Sequence, residues 1–158
     1  MLNCNNYKLE YITNSEKMFD KYVKLLKENS IKITPQRLEI LKFLDENRIH
    51  PTADQIYTNL KEKNPSLSKT TVYNSVDILR NHGLIQSLTI SNSELRYDFK
   101  HNMHHHFLCK KCGKITNIYV ECPNLGKMLE CGHNVEEVHG YFKGICKKCL
   151  KKVKDNES

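Results

Sequence analysis

The sequence predicts an α/β (α+β) chain with an N-terminal winged helix-turn-helix domain and a small C-terminal α/β domain stapled by a Cys4 zinc site. Three observations predict it. Apolar residues recur at helical spacing in several segments up to Gly83. Two short alternating segments, Leu84 to Ile90 and Leu95 to Phe99, then read as a β-hairpin around the polar turn Ser91-Asn92-Ser93. Helices followed by such a hairpin make a winged helix, which puts one helix in the major groove and the wing along the backbone. Beyond residue 100 the chain carries Cys109-Lys-Lys-Cys112 and, after 33 intervening residues, Cys146-Lys-Lys-Cys149. Two such knuckles can complete a tetrahedron of thiolates around Zn²⁺.

Residues 1–14 show no period and are expected to be a flexible N-terminal extension. The winged-helix domain is expected over residues 15–99. Its first helix starts at the N-cap residue Ser15, buries Phe19, Tyr22, Val23 and Leu26, and ends near Asn29-Ser30. Thr34-Pro35 starts the second, an N-cap followed by proline at the first helical position, and it runs to about Glu46. His50-Pro51-Thr52 breaks the chain, and Thr52 caps a third helix with the stripe Ala53, Ile56, Tyr57 and Leu60. Ser68 caps the fourth, which Gly83 stops. Val72, Val76 and Leu79 share one face of it; Thr70, Tyr73, Asn74 and Asp77 share the other.

A small metal-binding domain is expected over residues 100–150, followed by a basic polar tail at 151–158 that frays. Met103 to Cys109, Ile115 to Val120 and Val135 to Ile145 read as strands, and Pro123 to about Cys131 as a short helix weakened by Gly126. A domain this small buries little core and needs a staple.

Charge alone does not identify a partner. The chain carries a net charge of +7, which suits a polyanion. Residues 1–99 hold 14 Lys+Arg against 12 Asp+Glu, a net of +2. Binding to DNA must therefore rest on placed residues. The first residues, Met1-Leu-Asn-Cys-Asn-Asn-Tyr7, lack the basic patch and apolar core of a secretory signal, and no apolar run approaches the ~20 residues that span a bilayer. A cytoplasmic protein without membrane association is expected. There, paired cysteines hold metal more often than they form disulfides.

A second set of donors lies beside the knuckles. In a strand, positions i and i+2 share a face, so His104 and His106 can converge on one ion while His105 points away. The alternative is a surface run of histidines. Asp98, at the end of the wing, supplies a hard oxygen, and His50 can add an imidazole. Three histidines and a carboxylate suit Fe²⁺, Mn²⁺ or Zn²⁺ better than Ca²⁺ or Mg²⁺. On the fourth helix Tyr73 can meet a thymine methyl and Asn74 can pair with adenine. Lys69, Thr70, Thr71 and Arg80 are candidates for phosphate contacts, and Lys32 for a minor-groove or phosphate contact. The alternative is a solvated helix face. Cys122, Cys131, His133 and His139 form a third metal site or are scattered packing and surface residues. Cys4 is incidental. No general base or nucleophile is paired near the histidines, so no enzymatic activity is expected.

Taken together, Ile33-Thr-Pro-Gln-Arg37, His50-Pro-Thr-Ala-Asp54, Ser68-Lys-Thr-Thr-Val-Tyr-Asn74, Arg96-Tyr-Asp-Phe99, His104-His-His106 and the two C-x-x-C pairs resemble the ferric uptake regulator superfamily of bacterial metalloregulators. The chain looks most like its peroxide-responsive branch. The resemblance implies a homodimer, with residues 100–150 as the dimerisation domain, bound to a palindromic double-stranded operator and repressing transcription. It implies structural Zn²⁺ on Cys109, Cys112, Cys146 and Cys149, and regulatory Fe²⁺ or Mn²⁺ on His50, Asp98, His104 and His106. Aspartate at 98 and asparagine at 74 favour the peroxide branch, in which iron and hydrogen peroxide oxidise a ligand histidine, His50 or His104. No other small-molecule substrate is implied. Reversible sensing of iron or zinc is the alternative within the superfamily.

Two positions depart from the pattern. Where the resemblance implies a fifth, carboxylate ligand, this chain has Asn117, a weaker neutral donor. Where a histidine is frequent, it has Val138, with His139 one position later. The second departure argues against a further metal site near the dimer interface.

Overall fold

The computed structural model describes residues 19–90, 94–100, 104–120, 132–134 and 138–154. They fall into two compact units. One runs through Leu88 and resumes over Glu94–Lys100; the other contains Thr89 and the described residues from 104 onward.

In the first unit, helix α1 covers residues 19–28, and its expected cap at Ser15 lies outside the described residues. Ser30 then turns the chain with a φ of 56°. Helix α2 spans Pro35–Glu46, α3 Ala53–Lys61 and α4 Lys69–Asn81. Each starts on the cap that the sequence predicts. The Thr34 hydroxyl accepts from the Arg37 N–H, and Pro35 opens α2. Thr52 and Gln55 form a reciprocal capping box at α3. Ser68 Oγ accepts from the Thr71 N–H at 3.1 Å. Gly83, with a φ of +71°, ends the excursion after α4, a conformation that a side chain would resist.

The hairpin pairs β1 (Ile85–Leu88) with β2 (Arg96–Phe99) antiparallel, in a register that sets Gln86 opposite Asp98. These strands are shorter than expected, and the turn residues 91–93 lie outside the described residues. The core draws on every element, with Tyr22, Ile40, Leu41, Leu44, Ile56, Val76, Leu79, Ile85 and Phe99 among its buried residues. Three helices, a fourth leading into a two-stranded wing and one shared core make a winged helix-turn-helix, with α3 and α4 as its two helices.

The second unit is a three-stranded sheet ordered β4-β3-β5, with β3 at His105–Cys109, β4 at Ile115–Ile118 and β5 at Tyr141–Gly144. Strand β4 runs antiparallel to β3, and β5 parallel to it. Met103, residues 135–137 and the expected helix at Pro123–Cys131 lie outside the described residues. The third strand is shorter than the predicted Val135–Ile145. Residues 138–140 are irregular, and Gly140 passes against the His105 ring, where an added Cβ would stand 2.4 Å from His105 Nδ1.

The C-terminal segment departs from expectation. Instead of fraying after Cys149, the chain forms helix α5 over Lys147–Lys154. The Cys146 carbonyl accepts from the Leu150 N–H at 2.9 Å, closing the first turn. Lys151 and Lys152 lie towards the negative end of the helix, where cations are favoured.

Candidate metal centres and reading helix

The four knuckle sulfurs converge. The ligand atoms of Cys109, Cys112, Cys146 and Cys149 all lie within 4.8 Å of one another. Cys112 Sγ and Cys146 Sγ are 3.9 Å apart. Four sulfurs each about 2.3 Å from one tetrahedral Zn²⁺ stand about 3.8 Å apart, so the set fits the ion. Local folding explains the convergence. Cys109 ends β3, a turn brings Cys112 back, and β5 delivers Cys146 to the start of α5. The Cys146 backbone N–H donates to Cys109 Sγ at 3.3 Å.

That bond, helped by others from Cys112 and Lys111, holds the Cys109 thiol down to about 6. Cys149 is pushed up to about 12, first by its hydrogen bond with Cys146 and then by burial. The cluster thus favours a first thiolate and resists further ones until a cation balances them. Zinc supplies that balance, and binding releases protons.

The first unit holds two of the other donors. His50 and Asp98 are 1% and 2% exposed. His50 Nε2 stands 3.7 Å from Asp98 Oδ1. This is too long for a hydrogen bond, but two donors each about 2.1 Å from a shared ion are separated by about 3–4 Å. Residues 48 positions apart meet because the wing grips the helix break. The Arg96 guanidinium donates to the His50 carbonyl at 3.1 Å, and the Tyr97 N–H to the Pro51 carbonyl at 2.9 Å. Gln86 Nε2 donates to Asp98 Oδ2 at 3.2 Å, leaving Oδ1 directed towards the imidazole. His50 itself has a φ of 50°, a left-handed conformation costing about 1–2 kcal/mol for a residue with a side chain. Gln86 escaped the sequence reading, and Arg96 entered it only as part of the segment Arg96-Tyr-Asp-Phe99, not as the residue that holds the His50 carbonyl. Counting the hairpin register back from Asp98 would have found Gln86; nothing local shows that Arg96 reaches the His50 carbonyl.

The second unit holds the other two. His104 and His106 are buried with ring centroids 4.7 Å apart. His105 points to the opposite face, as strand alternation requires, and packs 6.0 Å from Phe142. Asn117 is the direct cross-strand partner of His106, so its amide shares the face of His104 and His106. Both polar atoms of that amide are buried without a hydrogen-bond partner. A buried orphan of this kind is costly unless something else satisfies it. His139 stacks on Tyr141 with centroids 6.3 Å apart, whereas Cys122 and Cys131 lie outside the described residues.

On α4, Val72, Ser75, Val76 and Leu79 are buried, while Tyr73 is 45% exposed. Lys69, Thr70 and Asn74 are also exposed, and Thr71 and Arg80 partly so. A tyrosine ring held at the surface of a helix whose other face is locked into the core suits contact with another molecule. Lys32 is exposed, and its carbonyl accepts from the Arg37 guanidinium. The cations of α4 are not idle: Lys69 pairs with Asp54 and Arg80 with Asp77.

A family model described as the ferric uptake regulator family matches residues 28–139. The chain belongs to the ferric uptake regulator family. It is 38% identical over 132 residues to the peroxide operon regulator of Bacillus subtilis (strain 168), covering 80% of this chain and 90% of that protein. To the peroxide-responsive repressor PerR of Staphylococcus epidermidis (strain ATCC 12228 / FDA PCI 1200) it is 35% identical over 129 residues, 78% of this chain and 85% of the relative. Among solved structures it resembles the Campylobacter jejuni peroxide stress regulator with a TM-score of 0.65 and 32% identity, covering 80% of this chain and 98% of that one. The Helicobacter pylori ferric uptake regulator shares the fold at a TM-score of 0.67 and 23% identity, with 85% and 93% covered. The chain is thus a regulator of the ferric uptake regulator family, whose members are not enzymes. Among the described residues no helix is long and apolar enough to cross a membrane.

Proposed function

We propose that this chain is a cytoplasmic, homodimeric, metal-dependent repressor of transcription that releases its operator in response to hydrogen peroxide. The observation that carries the proposal is the buried pair of His50 and Asp98, whose 3.7 Å separation suits two ligands of one ion. Its peroxide branch is supported by the relatives in Bacillus subtilis and Staphylococcus epidermidis, which are named for peroxide regulation.

In this reading Zn²⁺ sits on Cys109, Cys112, Cys146 and Cys149 and braces the second unit. His50 and Asp98 from the first unit, with His104 and His106 from the second, hold Fe²⁺ or Mn²⁺. Asn117 Oδ1 is available as a neutral fifth donor, which also gives its orphaned oxygen a partner. Donors drawn from both units tie the two together at one angle. In a dimer that angle sets the separation of the two α4 helices, which must stand about 34–36 Å apart to enter successive major grooves of a palindrome. Tyr73 and Asn74 read base edges, while Lys32, Lys69, Thr70, Thr71 and Arg80 serve the phosphates. Loss of a donor shifts the population towards arrangements that do not fit the operator.

Fe²⁺ held by these donors would supply the one-electron chemistry that starts cleavage of the O–O bond of hydrogen peroxide, and would end ferrous again. The net reductant would be the imidazole of His50 or His104: it would give up two electrons and gain one peroxide oxygen at a ring carbon, its proton and the second oxygen would leave in water, and the modified ring would be a poorer donor. Operator binding with Fe²⁺ or Mn²⁺, before and after peroxide, tests this together with peptide mass spectrometry. A gain of about 16 Da on the peptide of His50 or His104, with DNA released for the iron form but not the manganese form, is the expected result. Release without that mass gain contradicts it and favours reversible iron or zinc sensing. The neutral Asn117 is the observation that favours this second reading, because one carboxylate fewer weakens retention of the ion.

A further inference from the structure

The reading helix carries two cations, and a carboxylate holds each of them. Lys69 Nζ lies 3.0 Å from Asp54 Oδ1 and 5.7 Å from the centroid of the Tyr57 ring. Arg80 Nη2 lies 3.2 Å from Asp77 Oδ1. Asp77 is the sole acid of α4 and sits one turn beyond Tyr73 on the same exposed face. Asp54 comes from the first turn of α3. Attraction to Asp54 also holds the Lys69 ammonium above its ordinary range. A protein that gripped DNA by charge would not place acids here, and residues 1–99 have a net charge of only +2.

We propose that Asp54 and Asp77 act as an electrostatic brake that determines how strongly the reading helix discriminates between DNA sequences. This rests on the reading of α4 as the DNA-contacting helix. A free lysine or arginine follows phosphates wherever they lie and rewards any sequence equally. A cation pinned beside a carboxylate meets a phosphate only when the helix is seated in one register, the register that Tyr73 and Asn74 select through base edges. The carboxylates also subtract from the sequence-independent attraction that dominates non-specific binding. Non-specific complexes therefore lose more than the seated one.

The test uses the full-length dimer loaded with Mn²⁺ and two duplexes, one selected by the protein from a random pool and one a scramble of it. Asp54→Asn and Asp77→Asn keep size and polarity, and thermal melts confirm that each variant folds. The expected result is a steeper fall of log K with log [KCl], by about 1 per protomer for each carboxylate removed. Binding to the scrambled duplex tightens about tenfold in the double variant, and the ratio of selected to scrambled affinity narrows. An unchanged salt slope and ratio overturns the brake, while Tyr73→Ala still weakening the selected duplex shows that α4 reads DNA. If Tyr73→Ala has no effect either, the assignment of α4 falls, and the brake with it.

Discussion

The two units are held together by different means. Among its described residues, the first closes around 17 buried apolar ones contributed by all four helices and both wing strands. In the second, among the described residues from 104 onward, Cys109, Ile115 and Cys149 are the buried apolar ones, and the consecutive buried side chains are His104, His105 and His106. One unit is stabilised by hydrophobic burial; the other gathers candidate metal donors, four thiols with His104 and His106, in place of much of such a core. In the function proposed above one metal is a structural element and the other a signal, and the two roles demand different donors. Thiolates from short knuckles within one unit give a closed, permanent site. Imidazoles and a carboxylate give an ion that can come and go.

The largest effect should come from removing the staple. Cys112→Ser, or prolonged strong chelation, is expected to unfold the second unit, because structural zinc contributes on the order of 10 kcal/mol in small domains. The helices of the first unit should survive. Circular dichroism and hydrogen exchange resolved along the chain check both halves, and joint unfolding would break the contrast.

A core truncation sharpens the comparison from the other side. Ile40→Ala, at a fully buried position, should cost about 2–5 kcal/mol by denaturant titration of the first unit. Zinc content, measured by elemental analysis of the folded fraction, should be unchanged.

Gly140→Ala comes next. Its Cβ would meet the His105 ring, and the Gly140 carbonyl accepts from the His106 N–H at 3.0 Å. Overpacking of this kind costs about 1–3 kcal/mol. Calorimetric titration with Mn²⁺ should show weakened uptake while zinc is retained. Equal loss of both metals would mean that the two sites in the second unit are one cooperative structure. The smallest effect is expected at a cap. Thr52→Ala removes half of the α3 capping box and should cost about 1 kcal/mol in a thermal melt, leaving metal content unaltered.

Much of the first unit was legible in the sequence because its signals are local. Thr34-Pro35, Thr52 with Gln55, Ser68 and Gly83 act within a few residues of themselves, and the structure places helix boundaries beside each. The zinc set was legible for the same reason, since each knuckle is a local motif. What the sequence did not reveal depends on pairing at a distance. The wing's grip on the His50 carbonyl joins positions 46 residues apart. Helix α5 starts on Cys146, whose position is set by its bond to Cys109, so a run of lysines gave no sign of it. The pairing of Lys69 with Asp54 and Arg80 with Asp77 was equally hidden, because helical periodicity records which face is exposed but not which charges meet there.

The most direct test of the account is graded metal removal. Under mild chelation each protomer should lose the ion assigned to His50, Asp98, His104 and His106 while keeping its zinc. Operator affinity and far-ultraviolet circular dichroism would be followed together. The account predicts that affinity collapses while the dichroism spectrum stays unchanged, and that added Mn²⁺ restores binding. Full affinity after that ion has gone, or loss of helix signal in step with it, would contradict it.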